Sequence, residues 1–269
     1  MLLPQTLIPT ELGQRLERAY LDALAQLAPQ RPGGRVLGSP MDAGLAFLRG
    51  LAAAKDTRDP RGNPYWRLVT ELPTHVPDVD PARLLRALRP VLVTTYAYAV
   101  PSDAVLDRIA AGGEIVEIGA GGGYWARCLH ERGATITAFD RTLPVEQVRP
   151  GGRLIQHHPV GIGGPAEALA AAPGAQTLLL CWPPGLINRD EADAGAAPIF
   201  SPMGNEALDR FVGDQLVFVG DRIASFGSPR FFARLDDEWV QEDRLPLPNL
   251  GRWRDSAVFY RRNRALVLP

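Results

Sequence analysis

Residues 114–123 read EIVEIGAGGG, and this stretch constrains the chain more than any other. A short apolar run carries an acid near its end, Glu117. The turn that follows holds Gly119, Gly121, Gly122 and Gly123, and a helix-capable segment, YWARCLHERG, comes next. Strand, tight turn and helix start form the layout in which an open α/β sheet receives a nucleotide-type ligand. Glycine suits such a turn because, lacking a Cβ, it accepts positive φ and lets a ligand approach the backbone.

Beyond residue 114 the pattern alternates. Strands are expected at 114–119, 135–140, 153–158, 177–182 and 215–221, and helices at about 123–132, 165–172, 205–213 and 228–235. Alternating β and α units imply a parallel sheet covered on both faces. The last two strand-like runs, WVQEDRLPL and DSAVFYRR, follow each other without a helix and imply a terminal antiparallel hairpin. The first part of the chain reads differently. Leu12, Leu16, Tyr20, Leu24 and Leu27 recur at helical spacing, so 11–28 is an amphipathic helix. Further helices are expected over 41–54 and 82–89, and Ser102 is placed to cap another. Residues 29–40 read as a Pro/Gly-rich loop, and 56–81 as a polar, proline-rich stretch holding Tyr65 and Trp66. The segment VLVTTYAYAVP is compatible with extended or partly helical chain. The division expected is an N-terminal helical cap over 1–99 and an α/β domain over 100–269.

Composition narrows the partners. Lys plus Arg is 29 against 30 for Asp plus Glu, a net charge of -1, which gives no support to a broad phosphate-binding surface. Nucleic acid is therefore an unlikely partner on sequence grounds. Cys128 and Cys181 lie far apart, outside any CxxC or Cys/His metal pattern, and point to a reduced, cytoplasmic protein. The start, MLLPQTLIPTELG, has neither a basic leader nor a long apolar run, so no signal peptide or membrane anchor is expected.

Asp140 closes the second expected strand, about 20 residues past Gly119, where a carboxylate accepts the ribose hydroxyls of an adenosine cofactor. NAD and S-adenosylmethionine share that need. Glu117 separates them: pyrophosphate at the helix start would be repelled by an acid just before the glycines, whereas a sulfonium and an ammonium are favoured by it. The glycine order, GxGxG over Gly119, Gly121 and Gly123, also departs from the GxGxxG of dinucleotide sites.

Glu117, Gly119, Gly121 and Gly123 together resemble the (D/E)xGxGxG motif of class I S-adenosylmethionine-dependent methyltransferases. Residues 178–185, LLLCWPPG, resemble the (D/N/S)PP(Y/F/W) motif of amino-group methyltransferases, with two departures. Trp182 stands where a polar residue is expected and Gly185 where an aromatic is. VEIGAGGGYWARCL and LLLCWPP together resemble a largely uncharacterised methyltransferase-like family with a VEIGAGxGYWA…LLLCWPP pattern. Its other marks are Gly220-Asp221 and a late block of Phe231, Phe232, Leu235 and Trp239. The likeness covers about 96–262. It implies a Rossmann-like seven-stranded sheet, mostly parallel with a terminal antiparallel hairpin, and S-adenosyl-L-methionine as cofactor. The residues it implies at the cofactor are Tyr98, Glu117, Gly119, Gly121, Gly123, Asp140, His158 and Cys181. Those at the acceptor and chemistry are Trp182, Pro183, Pro184 and Asp221. His157 and His158 adjoin the expected adenine contact, and no further ligands cluster with them to hold a metal. The link residues 201–204, SPMG, fall where an acceptor pocket is often completed. The runs RWRD (252–255) and Arg261-Arg262 read as solvated faces.

The activity expected is methyl transfer from S-adenosylmethionine to a nitrogen or oxygen of a small or modest-sized acceptor. Three other readings stay open: a nucleic-acid or protein N-methyltransferase, an NAD-dependent oxidoreductase, and a non-catalytic binding module on a methyltransferase fold.

Overall fold

The computed structural model describes residues 9–27, 40–53, 63–142, 146–149, 152–193, 195–222, 227–250 and 254–263. The loop expected over 29–40 lies outside them but for its last residue, as do Arg252 and Trp253 of the RWRD run. Among the described residues, five α-helices come first: α1 (Pro9–Leu27), α2 (Pro40–Ala53), α3 (Pro64–Glu71), α4 (Pro81–Thr95) and α5 (Asp103–Ala110), with a 3-10 turn at Leu72–His75. Then follow β1 (Ile115–Ile118), α6 (Tyr124–His130), β2 (Ile136–Asp140), β3 (Val148–Arg149), β4 (Gly152–Arg153), β5 (Gly161–Ile162) and α7 (Pro165–Ala171). The remainder comprises β6 (Thr177–Cys181), α8 (Arg189–Asp193), α9 (Met203–Arg210), β7 (Gln215–Gly220), α10 (Pro229–Glu238), β8 (Trp239–Pro246) and β9 (Ser256–Arg262).

The main sheet has seven strands in the order β5-β2-β1-β6-β7-β9-β8, and β3 with β4 forms a separate two-stranded piece. Pairings from β5 to β7 are parallel; β9 runs antiparallel to both β7 and β8. This is the Rossmann-like, seven-stranded sheet with a terminal antiparallel hairpin. Strand order reverses at β1, whose neighbours are β2 and β6, so the ends of these three strands face one crevice, the ligand position of open α/β sheets.

Strand periodicity of two splits the core between the faces. Val116, Ile118, Leu178, Leu180, Leu216 and Phe218 pack with α7, α9 and α10. Ile115, Leu179, Val217 and Val219 join the other cluster, which runs without a break from Leu16 of α1 through Leu92 of α4. The N-terminal helices therefore share a hydrophobic core with the sheet. Glu117 falls on this second face by alternation, among residues that would otherwise be apolar. No helix among the described residues is long and apolar enough to cross a membrane.

Local signals explain several boundaries. Asn63 caps α3 by accepting from Trp66 N, and Pro64 occupies the first turn, where its missing N–H costs nothing. Asp80 caps α4 through Ala82 N and Arg83 N. The helix expected at 82–89 continues through Pro90 to Thr95, so VLVTT is helical and only the residues after it leave the helix. Burial of Leu92, Val93, Thr94 and Thr95 outweighs the hydrogen bond that Pro90 cannot donate.

The strand expected at 153–158 does not form. The sheet's edge strand is β5, Gly161–Ile162, paired with Phe139 and Asp140. Residues 154–158 are bound elsewhere: Ile155 N donates to Thr94 O at 3.0 Å and His157 N to Gly122 O at 2.7 Å. The segment is thus tied to the end of α4 and to the glycine turn, out of reach of β2.

Phe218 is 1% exposed in β7 and packs against Phe231 and Phe232 of α10, with ring centroids 6.1 and 5.4 Å away. Phe218→Ala is expected to lower unfolding free energy by about 3–5 kcal/mol in urea denaturation.

Candidate active site

A cavity of about 470 Å³ opens at the crevice. Its walls come from the end of α4 and the chain after it (Val93, Tyr96, Ala97, Tyr98), from β1 and the glycine turn (Glu117 through Gly122), and from Trp125. Asp140, Arg141, Gln147, Leu154, Gly163 and Gly164 line one end; Cys181, Trp182, Pro184, Gly185, Leu186 and Met203 line the other. Ligand pockets typically fall between about 300 and 1,000 Å³.

The glycine turn is built from left-handed backbone. Gly119, Gly121 and Gly123 have φ of 79°, 55° and 71°, values that L side chains rarely adopt. The N–H groups of Gly119 and Ala120 both donate to Phe139 O at 2.8 and 3.0 Å, pinning the turn to the end of β2. Gly122 has no room for a side chain, because a Cβ there would lie 2.1 Å from Ile155 O.

Glu117 is 1% exposed, and its Oε2 has no hydrogen-bond partner among the described residues. Burial, reinforced by the charge of Asp140, pushes its carboxyl up to about 8 against an ordinary 4.5; a hydrogen bond from the backbone of Ala126 opposes the shift. Asp140 is better served. Its Oδ2 accepts from Gly121 N at 2.9 Å and its Oδ1 from Gln147 Nε2 at 3.2 Å.

Trp182 has φ 50°, the only positive value at a non-glycine among the described residues. Such a conformation costs on the order of 1–3 kcal/mol and persists only when its surroundings impose it. Trp182 N donates to Val219 O at 2.8 Å and Nε1 to Asp255 Oδ1 at 3.0 Å. The indole stacks on Tyr98 with centroids 4.9 Å apart and planes within 7°. The Arg89 guanidinium carbon lies 5.2 Å from the Trp182 ring and 5.8 Å from that of Tyr98.

The cavity thus brings together Tyr98, Glu117, Gly119, Gly121, Asp140, Cys181, Trp182 and Pro184 of the residues singled out from sequence. Gly123, His158, Pro183 and Asp221 are not on its wall. Gly123 is buried behind the turn, where a Cβ would meet His158 Cβ and Val160 at 3.0 Å. His158 faces His130, ring centroids 5.4 Å apart, and burial lowers its pKa. Pro183 is buried beside the exposed Pro184. Asp221 accepts from Arg254 N at 3.0 Å. The Cys181 thiol is pushed well up by burial and the nearby acids Glu117 and Asp255, which leaves it un-ionised at neutral pH.

His157, next to the expected adenine contact, serves a different purpose. Its Nε2–H donates to Thr95 O, and its ring lies among Tyr96 and Tyr124, at 6.1 and 5.0 Å. Burial lowers it to about 4, so it is neutral at pH 7. The Tyr124 hydroxyl donates to Asn63 Oδ1 at 2.9 Å, and Tyr65 N donates to that hydroxyl at 3.3 Å. This polar and aromatic cluster ties α3 to the start of α6, directly after the glycine turn.

Sequence reasoning passed over Tyr96, Gln147 and Leu154 on the cavity wall. In the cluster behind it, His157 was marked for the adenine and Tyr65 as one of an aromatic pair, while Asn63, a capping residue before proline, carried a local signal that went unused. Met203 fell in the SPMG link already marked for the acceptor side. The solvated face expected for RWRD does not hold at Asp255, which is 5% exposed and bonded to Trp182. Of the arginine pair, Arg261 is exposed, whereas Arg262 folds back over the Trp239 ring at 4.4 Å and donates to Phe211 O.

No family model matches the sequence, and no curated protein matches it. Solved structures show distant likeness. A protein of the NADB-Rossmann superfamily from Streptococcus agalactiae is 15% identical over 61% of this chain and 69% of that one, with a TM-score of 0.37. The tRNA (uracil-54, C5)-methyltransferase of Pyrococcus abyssi, in complex with S-adenosyl-L-homocysteine, is 16% identical over 58% of this chain and 37% of that one, TM-score 0.35. The mitomycin 7-O-methyltransferase MmcR is 14% identical over 84% and 69%, TM-score 0.37. Likeness at this distance carries no chemistry, which rests on the cavity's own residues.

The raised carboxyl of Glu117 has a defined effect on stability. Between about pH 4.5 and 8 the unfolded chain has lost this proton while the folded chain keeps it. Folding takes up a proton there, and stability falls as pH rises through the window. Glu117→Gln is expected to unfold at higher temperature than wild type at pH 8, by more than about 1 kcal/mol, with the gain shrinking toward pH 4.5. Calorimetric scans across that range check it.

Proposed function

We propose that this chain is a methyltransferase that uses S-adenosyl-L-methionine to methylate a nitrogen or oxygen of a small or modest-sized acceptor. The observation that carries the reading is the buried Glu117 carboxyl at the cavity beside the glycine turn, whose Oε2 lacks a partner among the described residues. A cationic ligand would supply the missing counter-charge and favour the ionised acid. A pyrophosphate would place negative charge against it, which disfavours NAD.

The residues present fit the cofactor. Glu117 would face its cationic end, the glycine turn would admit it without side-chain obstruction, and Asp140 would hold its ribose. Leu154 and Gln147 stand at the Asp140 end, where an adenine ring needs an apolar face and polar edges. When bound, the cofactor supplies an electrophilic methyl group on sulfur. The chain's own work is then to orient the acceptor in line with it and to exclude water. Trp182, Tyr98, Pro184 and Met203 suit that work, because flat and apolar walls fix a small molecule and desolvate its nucleophile. A neutral amine needs little more than this; a hydroxyl acceptor would also need a base. We read the first 99 residues as a cap whose last helix shapes the acceptor side, since Val93 and Tyr98 reach the cavity.

Isothermal titration with S-adenosylhomocysteine and with NAD tests the cofactor. The first is expected to bind and the second not; the reverse would sink the reading. Asp140→Ala and Gly121→Arg are each expected to weaken S-adenosylhomocysteine binding at least about tenfold. Unchanged affinity in Asp140→Ala would remove the ribose assignment. Transfer of labelled methyl from S-adenosylmethionine to a panel of small amines and phenols separates an enzyme from a binding module.

A further inference from the structure

We propose that Asp255 is the positioning residue of the acceptor wall: its carboxylate fixes the plane of the Trp182 indole and thereby the shape of the cavity's acceptor end. The acceptor part of this statement rests on the methyltransferase reading; the link between the two residues does not.

Four observations converge. Trp182 is held in a left-handed conformation immediately before Pro183, where its own preference is extended backbone, so the conformation is imposed by its surroundings. Its backbone N–H goes to Val219 O and its indole N–H to Asp255 Oδ1, so both are clamped by one corner of the sheet. That corner is rigid. Asp255 directly precedes β9, whose first residue, Ser256, pairs with Gly220 of β7. Asp255 N donates to Asn249 Oδ1, and its carbonyl accepts from Leu247 N. Finally, Gly220 has φ 151°, and a Cβ there would lie 3.4 Å from Trp182 Cδ1, so the indole packs directly on the β7 terminus.

Asp255 is a poor choice for stability alone. It is 5% exposed, and no salt bridge is formed among the described residues that involves it. Burial, with Asp221 adding repulsion, raises its carboxyl to about 7 despite the Trp182 hydrogen bond and the charge of Arg89. Buried acids held at such a cost cluster at functional sites. The polar group absent from position 182 of the PP motif is thus present nearby, on the residue just before β9, and it acts on the tryptophan. With its N–H taken by Asp255, the Trp182 side chain has no donor to offer an acceptor, and its ring selects one by shape.

The test uses the full chain with its five tryptophans replaced by 5-fluorotryptophan. The fluorine line of Trp182 is assigned by its loss in Trp182→Phe. Asp255→Asn keeps an acceptor oxygen and is expected to leave that line in place. Asp255→Leu removes the acceptor and is expected to shift or broaden it, with the lines of Trp66, Trp125 and Trp239 unmoved and S-adenosylhomocysteine affinity within about threefold of wild type. An unmoved Trp182 line in Asp255→Leu overturns the proposal. Should that variant unfold, a pH titration decides. The wild-type Trp182 line is expected to move near pH 7 and to stop moving in Asp255→Asn. The other groups facing Asp255 are Arg89 of α4, Tyr65 of α3, Cys181 of β6 and Asp221 after β7; movement that persists in Asp255→Asn would show that Asp255 is not its source and would overturn the proposal. Failure of S-adenosylhomocysteine to bind wild type would refute the cofactor reading alone and leave the fluorine result standing.

Discussion

The reversal of strand order at β1 is the constraint on which the site depends. Because β2 and β6 flank β1 on opposite sides, their helical crossovers go to opposite faces and leave the ends of all three strands uncovered at one point. Glu117 and the glycine turn come from the first, Asp140 from the second, Cys181 and Trp182 from the third. Three segments more than 60 residues apart in sequence from first to last meet at one cavity.

Two kinds of cost are concentrated there. Glu117 is a carboxyl on a strand face that is otherwise apolar, and Trp182 is a bulky residue in a glycine-like conformation. Each is tolerated because the surroundings are over-determined. The turn beside Glu117 is pinned by Phe139 O and by the His157–Gly122 contact, and Trp182 by Val219, Asp255, Gly220 and Tyr98. The N-terminal helices belong to this support. Tyr96, Tyr124, Asn63 and His157 connect them to the first residue after the glycine turn, so the rigidity of the turn depends on chain that precedes the sheet.

Much of this was legible from residues alone. The alternation after residue 114 specified the parallel sheet, and the two helix-free runs at the end specified the hairpin, because apolar periodicity follows the backbone period of each element. The glycines of the turn were legible for the same kind of local reason: only glycine tolerates the φ values found at 119, 121 and 123. The third strand was misplaced because RLIQHH has strand-like composition, while its N–H groups are claimed by Thr94 and Gly122, and no local pattern announces such partners. Asp255 was misread for a related reason. A charged residue in a charged run looks solvated until the fold brings an indole N–H to it.

Sequence by itself determined the sheet apart from its edge strand β5, its hairpin, the glycine turn and the identity of the two acids near it, since each depends on backbone geometry or on residues a few positions apart. Tertiary structure alone decided that Glu117 is buried without a full set of partners, that His157 and Asn63 brace the turn, and that Trp182 is held by Asp255. Those properties arise from groups far apart in sequence, such as His157 and Gly122 or Trp182 and Asp255, and desolvation and hydrogen bonding depend on what surrounds a group in space.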